Sequence, residues 1–419
     1  MPQASPKGSE DLAGATVLQI IPSLDAGGAE RTTIDIAGAL VEAGGRALVA
    51  SRGGRLVSEL QARGGIWIPF PAGAKNPAAM AWNVGRLARL IRLERPAVVH
   101  ARSRAPAWVA LGAARLTGVP FMTTFHGAYG GTSALKLRYN SVMARGDVVI
   151  ANSDYTRGLV TSLYPWAVPQ VEVVHRGTDL RQFAPAAVAP ARVQKLRSDW
   201  GVEVGDRVVL LAARLTSWKG HRVLIEAARL LKAAGLADTS FILAGDPQGR
   251  DRYAAELDAA VDDAGLRGVV KRVGHVADMP AAFLAASVVA VPSTKPEAFG
   301  RSAVEAQAMG TPVVVSDHGA VPETVLSVPR VAAEARTGWC VPPDDARALA
   351  LAIGEALALG ASARDGMARR AQAHVAEHFS LERMEGATLA LYRDVIAGRR
   401  RAASTAPSPQ AEKGAAAKP

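Results

Sequence analysis

The sequence predicts an α/β protein made of two Rossmann-like, doubly wound parallel-sheet domains facing each other across a cleft. Three observations predict it. Short apolar runs alternate with helical patterns along most of the chain. The runs hold few polar residues, which marks strands covered on both faces, and such strands belong to parallel sheets. The rhythm pauses once, at the Pro/Ala stretch FAPAAVAPAR (183–192), which reads as a linker, and then restarts. A chain of 419 residues is also too long for one ordinary core.

Taken in order, residues 1–14 are rich in Pro, Gly and Ser and read as a disordered tail. The first domain, 15–184, opens with the buried strand TVLQIIPSL (16–24) and the helix AERTTIDIAGALVEAGG (29–45), closed by glycines. RALVAS (46–51), IWIPF (66–70), AVVHA (97–101), FMTTFH (121–126) and DVVIANS (147–153) continue the strands. The second domain, 185–379, repeats the pattern with RVVLLAARL (207–215), TSFILAGD (239–246), VVKRVGH (269–275), SVVAVPS (287–293) and TPVVVSD (311–317). SLERMEGATLALYRDVIAG (380–398) starts on a Ser cap and spaces its apolar residues helically, as one long terminal helix. Residues 399–419 form a basic, low-complexity tail expected to be disordered.

Hydrophobic residues make up 49% and charged residues 21%, the balance of a globular protein. No apolar run reaches membrane-spanning length; AAFLAASVVAVPS (281–293) reads as helix end, turn and buried strand. The opening MPQASPKGSEDLAGA has no basic segment followed by an apolar core, so no secretory signal is expected. The lone Cys340 rules out an internal disulfide and fits a reducing cytoplasm. Net charge is +11 and the pI about 10.1. Basic residues read as scattered, apart from GRRRAA (398–403). Without a zinc-finger or aromatic RNA-binding signature, nucleic acid is not expected as a partner; a phosphate-bearing substrate or an anionic lipid surface fits better.

Ligands of open α/β sheets bind beyond the carboxyl ends of the strands, so residues just after each strand are the candidates. In DAGGAER (25–31), Gly27 and Gly28 permit a tight turn into a helix whose free N–H groups attract an anion. A plain turn explains the same residues, and the stretch is not a dinucleotide G-x-G-x-x-G. Arg214 and Lys219, the latter beside Gly220, sit where two cations can hold a diphosphate, Arg by its fork and Lys as a point charge. An ordinary solvated loop is the alternative. PEAFGRSAVEAQAMG (296–310) carries Glu297 and Glu305 with seven residues between them. Glu297 lies at the mouth of a helix starting near Gly300, and Glu305 lies deeper along it. The two carboxylates can then bond the hydroxyls of two different sugars, with the N–H groups of Phe299, Gly300 and Arg301 between them. Alternatively Glu305 is a partly exposed helix charge. His126 ends a strand before a glycine-rich loop, and is either structural or part of the site. HVAEH (374–378) matches a zinc pattern, but at a helix end outside the expected cleft, and no metal is assigned to it.

Arg214 with Lys219, then Glu297 and Glu305, resembles glycosyltransferase family 4, retaining enzymes of the GT-B fold. GGAER, TFHG, IANSDYTRGLV, HRGTDLRQFAP, ARLTSWKGH, ILAGD, PEAFGRSAVEAQAMGTPVV and TGWCVPPDD carry the resemblance in order, from about residue 16 to 398. It implies an acceptor-binding first domain, a nucleotide-sugar-binding second domain, and a terminal helix crossing back to the first. Arg214 and Lys219 would hold the donor diphosphate, with Gly27 and Gly28 lining the cleft beside it. Glu305 would bind the nucleotide ribose. Glu297 would sit near the transferred sugar and its reacting carbon. The amides around Phe299 and Gly300 would hold donor sugar or phosphate. His126 would face the donor sugar, and with Glu297 it is the candidate catalytic residue. The sequence departs from the family at Ala298, where Gly is common, and at Arg301, where an apolar residue is frequent. Arg301 is either a donor contact or a solvent-facing charge.

The resemblance also implies a mechanism. Arg214, Lys219 and helix N-termini would stabilise the leaving diphosphate in place of a metal, and no D-x-D occurs in the chain. The acceptor would attack the face the leaving group departs from, so no conventional general base is assigned. No cofactor is expected beyond the nucleoside-diphosphate sugar as co-substrate. The expected acceptor is a saccharide, lipid-linked, of lipopolysaccharide core or another envelope glycan; RSRAPAW, TTFHGAYGG and YNSVMARGDVVIANSDYTR carry that finer likeness. The expected setting is the cytoplasm, with peripheral contact to the inner face of the membrane. Two rivals stand beside it. A non-hydrolysing sugar-nucleotide epimerase would form product from donor alone. A non-catalytic nucleotide-sugar-binding protein would keep its binding in Glu297→Ala.

Overall fold

The computed structural model describes residues 12–25, 27–127, 129 and 133–399. Among the described residues, thirteen strands form two wholly parallel sheets. The first contains β1 (Thr16–Ile20), β2 (Arg46–Ser51), β3 (Ile66–Pro69), β4 (Val98–Ala101), β5 (Phe121–Phe125), β6 (Val148–Ala151) and β7 (Val171–Val173). The second contains β8 (Arg207–Ala212), β9 (Thr239–Ala244), β10 (Val270–Gly274), β11 (Val288–Val291), β12 (Val313–Ser316) and β13 (Gly338–Val341). The strand orders are β3-β2-β1-β4-β5-β6-β7 and β10-β9-β8-β11-β12-β13. Each order reverses once, between β1 and β4 and between β8 and β11. At those two points the loops part and open a crevice beyond the strand ends.

Helices α1 (Gly28–Glu42), α2 (Val57–Ala62), α3 (Pro77–Glu94), α4 (Arg104–Thr117), α5 (Ala134–Asn140) and α6 (Asp154–Leu163) belong with the first sheet. Then follow α7 (Pro190–Asp199), α8 (His221–Ala233), α9 (Asp251–Asp263), α10 (Met279–Ala285), α11 (Arg301–Ala308), α12 (Val321–Thr324), α13 (Ala346–Leu357), α14 (Ala361–His378) and α15 (Leu381–Ile396). Local chemistry sets several of their ends. The Asn76 side chain accepts from the N–H groups of Ala78 and Ala79, Pro77 opens α3, and Arg95 closes it in the left-handed region. Ser380 caps α15 as its position in the sequence predicts, accepting from Arg383 N–H.

Each sheet has a core on both faces. On the first sheet, α3 and α4 pack Leu87, Ile91, Val109 and Ala113 on one face. On the other face α1 packs Ile34, Ile36 and Leu40 together with Leu381, Met384, Tyr392 and Val395 of α15. The terminal helix therefore crosses back to the first domain. Its crossing runs beside the outgoing one: Thr178 N–H donates to Phe379 O at 2.8 Å, and Leu381 N–H donates to Thr178 O at 3.0 Å. Gly177 permits this approach, since a Cβ there would lie 2.5 Å from Leu381 Cα. No single helix among the described residues is long and apolar enough to cross a membrane.

Two sequence expectations need correction. The tail does not reach residue 14. Leu12 is buried with Val17 and Leu40, and Gly14 N–H donates to Gly44 O at 2.9 Å. One apolar side chain with a core to enter outweighs the Pro/Gly-rich composition around it. The stretch 183–192 is not a free linker either. Phe183 and Val188 are buried in the second domain's core, Phe183 stands 6.3 Å from the Phe283 ring, and Pro190 opens α7. Residues 1–11 and 400–419 of the expected tails lie outside the described residues.

Candidate active site

The two sheets' reversal points face each other across a cleft of about 910 Å³. Gly27, Gly28, His126, Arg214, Lys219, Glu297, Phe299, Gly300 and Arg301 all line it. Of the candidate site residues expected from the sequence, Glu305 does not.

The second domain supplies the cations and carboxylate. Arg214 and Lys219 come from the loop after β8, and Arg214 forms no ion pair among the described residues. Gly220 follows Lys219 at φ 76°, and a Cβ there would sit 1.8 Å from Pro292 O. Only glycine lets the Lys219 turn press against the end of β11. Lys219 Nζ bonds Glu297 Oε1 at 2.8 Å and stands 4.5 Å from the centre of the Trp218 ring. Ser293 Oγ donates to the same carboxylate oxygen at 2.5 Å. The diphosphate cation and the sugar carboxylate, assigned separately in the sequence, thus meet at one point.

Gly300, at φ 91°, is the N-cap of α11, and no side chain caps that end. Its amide neighbourhood is therefore free for an anion or sugar oxygen. Phe299 contributes backbone only, because its ring is buried edge-on to Phe379, 5.6 Å away. Arg301 spans the next turn, with Nε 3.1 Å and Nη2 2.5 Å from Glu305 Oε1. The Glu305 charge beside it, against the cost of burial, raises the Arg301 pKa. Glu305 is 7% exposed and lies under Arg301, so a ribose reaches it only if the guanidinium moves or bonds the ribose as well.

The first domain supplies the opposite wall. Gly27, at φ 155°, leaves room for Glu30, whose Oε2 would be 2.4 Å from a Cβ. Gly28 leaves room for Arg176, whose Nη1 would be 2.2 Å from one. His126 follows β5. Its Nδ1 is 3.1 Å from Arg176 Nη2, and its carbonyl accepts from the same nitrogen at 3.3 Å. Arginine can only donate, so Nδ1 accepts and the ring proton sits on Nε2, which has no protein partner among the described residues. Burial, then the charges of Arg176 and Arg102, hold the His126 pKa well below 6.5, so the imidazole is neutral. Burial, then the Arg301 charge, brings Arg176 down to about 10.

Sequence reasoning missed Arg176, Glu30, Asn152, Tyr155 and Lys295, all of which line the cleft. The available signal for Arg176 was its place just after a strand and before Gly177. The wall carries Arg176, Arg214, Lys219, Lys295 and Arg301 against Glu30 and Glu297. That excess of cations suits an anionic ligand. The HVAEH segment is the last part of α14. His374 packs on His378 at 5.0 Å and on Phe379 at 5.4 Å, and neither histidine lines the cleft.

Two facing parallel-sheet domains, a basic cleft at both reversal points and a returning terminal helix are the architecture of the GT-B fold. Residues 26–182 match the family model "Glycosyltransferase Family 4", and residues 193–374 match "Glycosyl transferases group 1". A glycosyltransferase from Rickettsia africae is 31% identical, with a TM-score of 0.83 covering 91% of this chain and 99% of that one. Anabaena HepE, solved in complex with UDP-glucose, is 26% identical, with a TM-score of 0.76 over 90% of this chain and 99% of its own. The D-inositol 3-phosphate glycosyltransferase of Mycobacterium tuberculosis is 35% identical over 260 residues, 61% of this chain and 50% of the relative. The chain thus spans about half the length of the curated relatives it matches. It belongs to glycosyltransferase family 4.

Proposed function

We propose that the protein transfers a sugar from a nucleoside-diphosphate sugar to a saccharide acceptor, with retention at the reacting carbon. The observation that carries this reading is the convergence of Arg214, Lys219 and the uncapped start of α11 on one side of the cleft. Negative charge grows on the diphosphate as it leaves, and fixed cations and N–H groups in a cleft stabilise it without reorganising. His126, neutral with its proton on Nε2, donates a hydrogen bond to a sugar oxygen. Glu297 is held by Lys219 and Ser293 at the place where the reacting carbon would lie. The reaction needs no cofactor in this reading, and the departing diphosphate takes the acceptor's proton.

A donor screen by thermal shift tests it, with UDP-, GDP-, ADP- and CMP-sugars, EDTA present, on wild type and Glu305→Ala. One nucleotide class should stabilise the wild type by several degrees and the variant much less. Equal stabilisation of both proteins would remove Glu305 from the donor site. Product formed from donor alone would favour an epimerase.

The acceptor in this reading is lipid-linked and belongs to an envelope glycan such as lipopolysaccharide core, reached from the cytoplasmic face of the membrane. Charge supports this. Residues 71–146 hold eleven Lys and Arg against one acid, Glu94, and so account for almost all of the net +11. The basic residues are therefore not scattered. They gather in the α3–α4–α5 segment, where all but the buried Arg102 and the half-buried Arg104 are exposed, alongside Trp82 at 73%, Leu135 at 80%, and exposed Leu93, Leu116 and Tyr139. Cations mixed with exposed apolar side chains suit an anionic bilayer surface. Vesicles containing phosphatidylglycerol should sediment the wild type. Leu135→Ser/Lys136→Glu/Arg138→Glu should lose most of that binding and keep the donor's thermal shift. Equal binding to neutral vesicles would sink the idea.

A further inference from the structure

The N-terminus of α6 belongs to the first domain, yet a residue of the second domain caps it. Glu323 Oε2 accepts from Asp154 N–H at 2.9 Å, and Oε1 accepts from Tyr155 N–H at 2.5 Å. Ser153 Oγ accepts from Thr156 N–H at 3.0 Å. The first N–H groups of a helix lack partners within it and carry its positive dipole end, so a carboxylate is well matched there. Beside this contact the Asn152 amide, turned to donate, reaches Ala298 O at 3.2 Å.

The second-domain side of this contact continues to Glu297. Ala320 N–H donates to Glu297 O at 2.9 Å, and Gly319 pairs with Glu297 as an isolated bridge. A Cβ on Gly319 would lie 2.6 Å from Glu297 O, so the two backbones are in tight contact. Three residues on, the same short segment presents Glu323. It is also fixed from behind: Gln307 Nε2 of α11 donates to Thr324 O at 2.8 Å, and Val321 packs on Gly300.

We propose that Glu323 is a positioning residue, a carboxylate clasp that joins the α6 terminus of one domain to the backbone carrying Glu297 in the other. Bringing the domains together and placing Glu297 are then one event. This rests on the transfer reaction proposed above and adds how its site is assembled. Asp154, His175 and Glu323 also lie close enough for a cation. Both Glu323 oxygens are already taken by N–H groups at a positive helix end, which disfavours one.

The test uses Glu323→Gln, Asp154→Pro and the double variant of the full chain. Proline is well accepted at the first helical position, and Ser153 before it is extended at φ −165°, ψ 162°, so Asp154→Pro deletes one N–H donor and keeps α6. Each single change should lower kcat about 10-fold with donor KM within about 2-fold, and the double should be no worse than the poorer single. Small-angle scattering should show a larger radius of gyration in all three. Fold losses that multiply in the double variant, or an unchanged radius, would overturn the clasp. So would a rise in melting temperature on adding zinc or magnesium chloride that His175→Asn abolishes. If the wild type transfers no sugar, the proposed reaction fails, and scattering decides the clasp alone.

Discussion

Lys219→Met should lower kcat by about two to three orders of magnitude, the effect of removing a fixed charge from a developing oxyanion. Two losses combine. In the proposed reaction the leaving diphosphate loses one of the two cations assigned to it, Arg214 and Lys219. Glu297, 10% exposed and bonded to Lys219, keeps Ser293 as its one side-chain partner among the described residues. Removing one member of a poorly solvated ion pair costs more than the pair contributes, because the remaining charge stays buried. The melting temperature should therefore fall as well. Adding Glu297→Gln should restore much of the melting temperature and none of the activity. Lys219→Arg keeps the charge but trades a point ammonium on Trp218 for a planar fork, and should recover only part of kcat. Steady-state kinetics and thermal unfolding on the four proteins check this. A Lys219→Met enzyme within threefold of wild type would remove the residue from the chemistry.

Tyr392→Ala should destabilise the protein by about 3–5 kcal/mol, the usual cost of truncating a fully buried aromatic side chain. Tyr392 is 0% exposed and is the deepest point at which α15 enters the first domain. Its hydroxyl is 2.7 Å from His100 Nδ1, and His100 Nε2 is 2.8 Å from Thr124 Oγ1. Burial holds the His100 pKa well below 6.5, so the ring is neutral, with one nitrogen donating and the other accepting. Arg102 beside it spends Nε and Nη2 on Gln19 Oε1 at 2.9 and 2.5 Å. Tyr392→Phe keeps the ring, leaves His100 Nδ1 without its partner, and should cost about 1–3 kcal/mol. Urea unfolding followed by tryptophan fluorescence measures both. Equal losses in the two variants would mean that the hydroxyl alone matters and the ring's packing does not.

The fold was largely legible because buried parallel strands announce themselves as apolar runs. RVVLLAARL became β8 and SVVAVPS became β11, with helices between. Strand order was not legible, since nothing local records which strands become neighbours. In the site, residues on sharp turns after strong strands were found: Gly27, Arg214, Lys219, Glu297 and Gly300. Arg176 was passed over because β7 before it is only three residues long and partly exposed, a weak strand signal. Its place in the cleft depends on the missing Cβ of Gly28, nearly 150 residues away in the chain, a contact that only the tertiary fold creates. The Lys219–Glu297 pair was hidden for the same reason. The basic segment 71–146 was legible too, but a net charge taken over 419 residues averages a local cluster away.

The return of α15 has a consequence for synthesis. The first domain's core includes Leu381, Met384, Tyr392 and Val395, made more than 200 residues after β7 closes its sheet. A ribosome adding about 5–20 residues each second needs some ten seconds or more to reach them. Throughout that interval the outer surface of α1 stays bare, with Ile34, Ile36 and Leu40 beneath it short of their last partner. The domain that emerges first is thus completed last. The nascent chain carries an open apolar groove that chaperones can occupy, and a message truncated just before the codon for Leu381 yields a protein whose second domain can fold while its first remains unsealed.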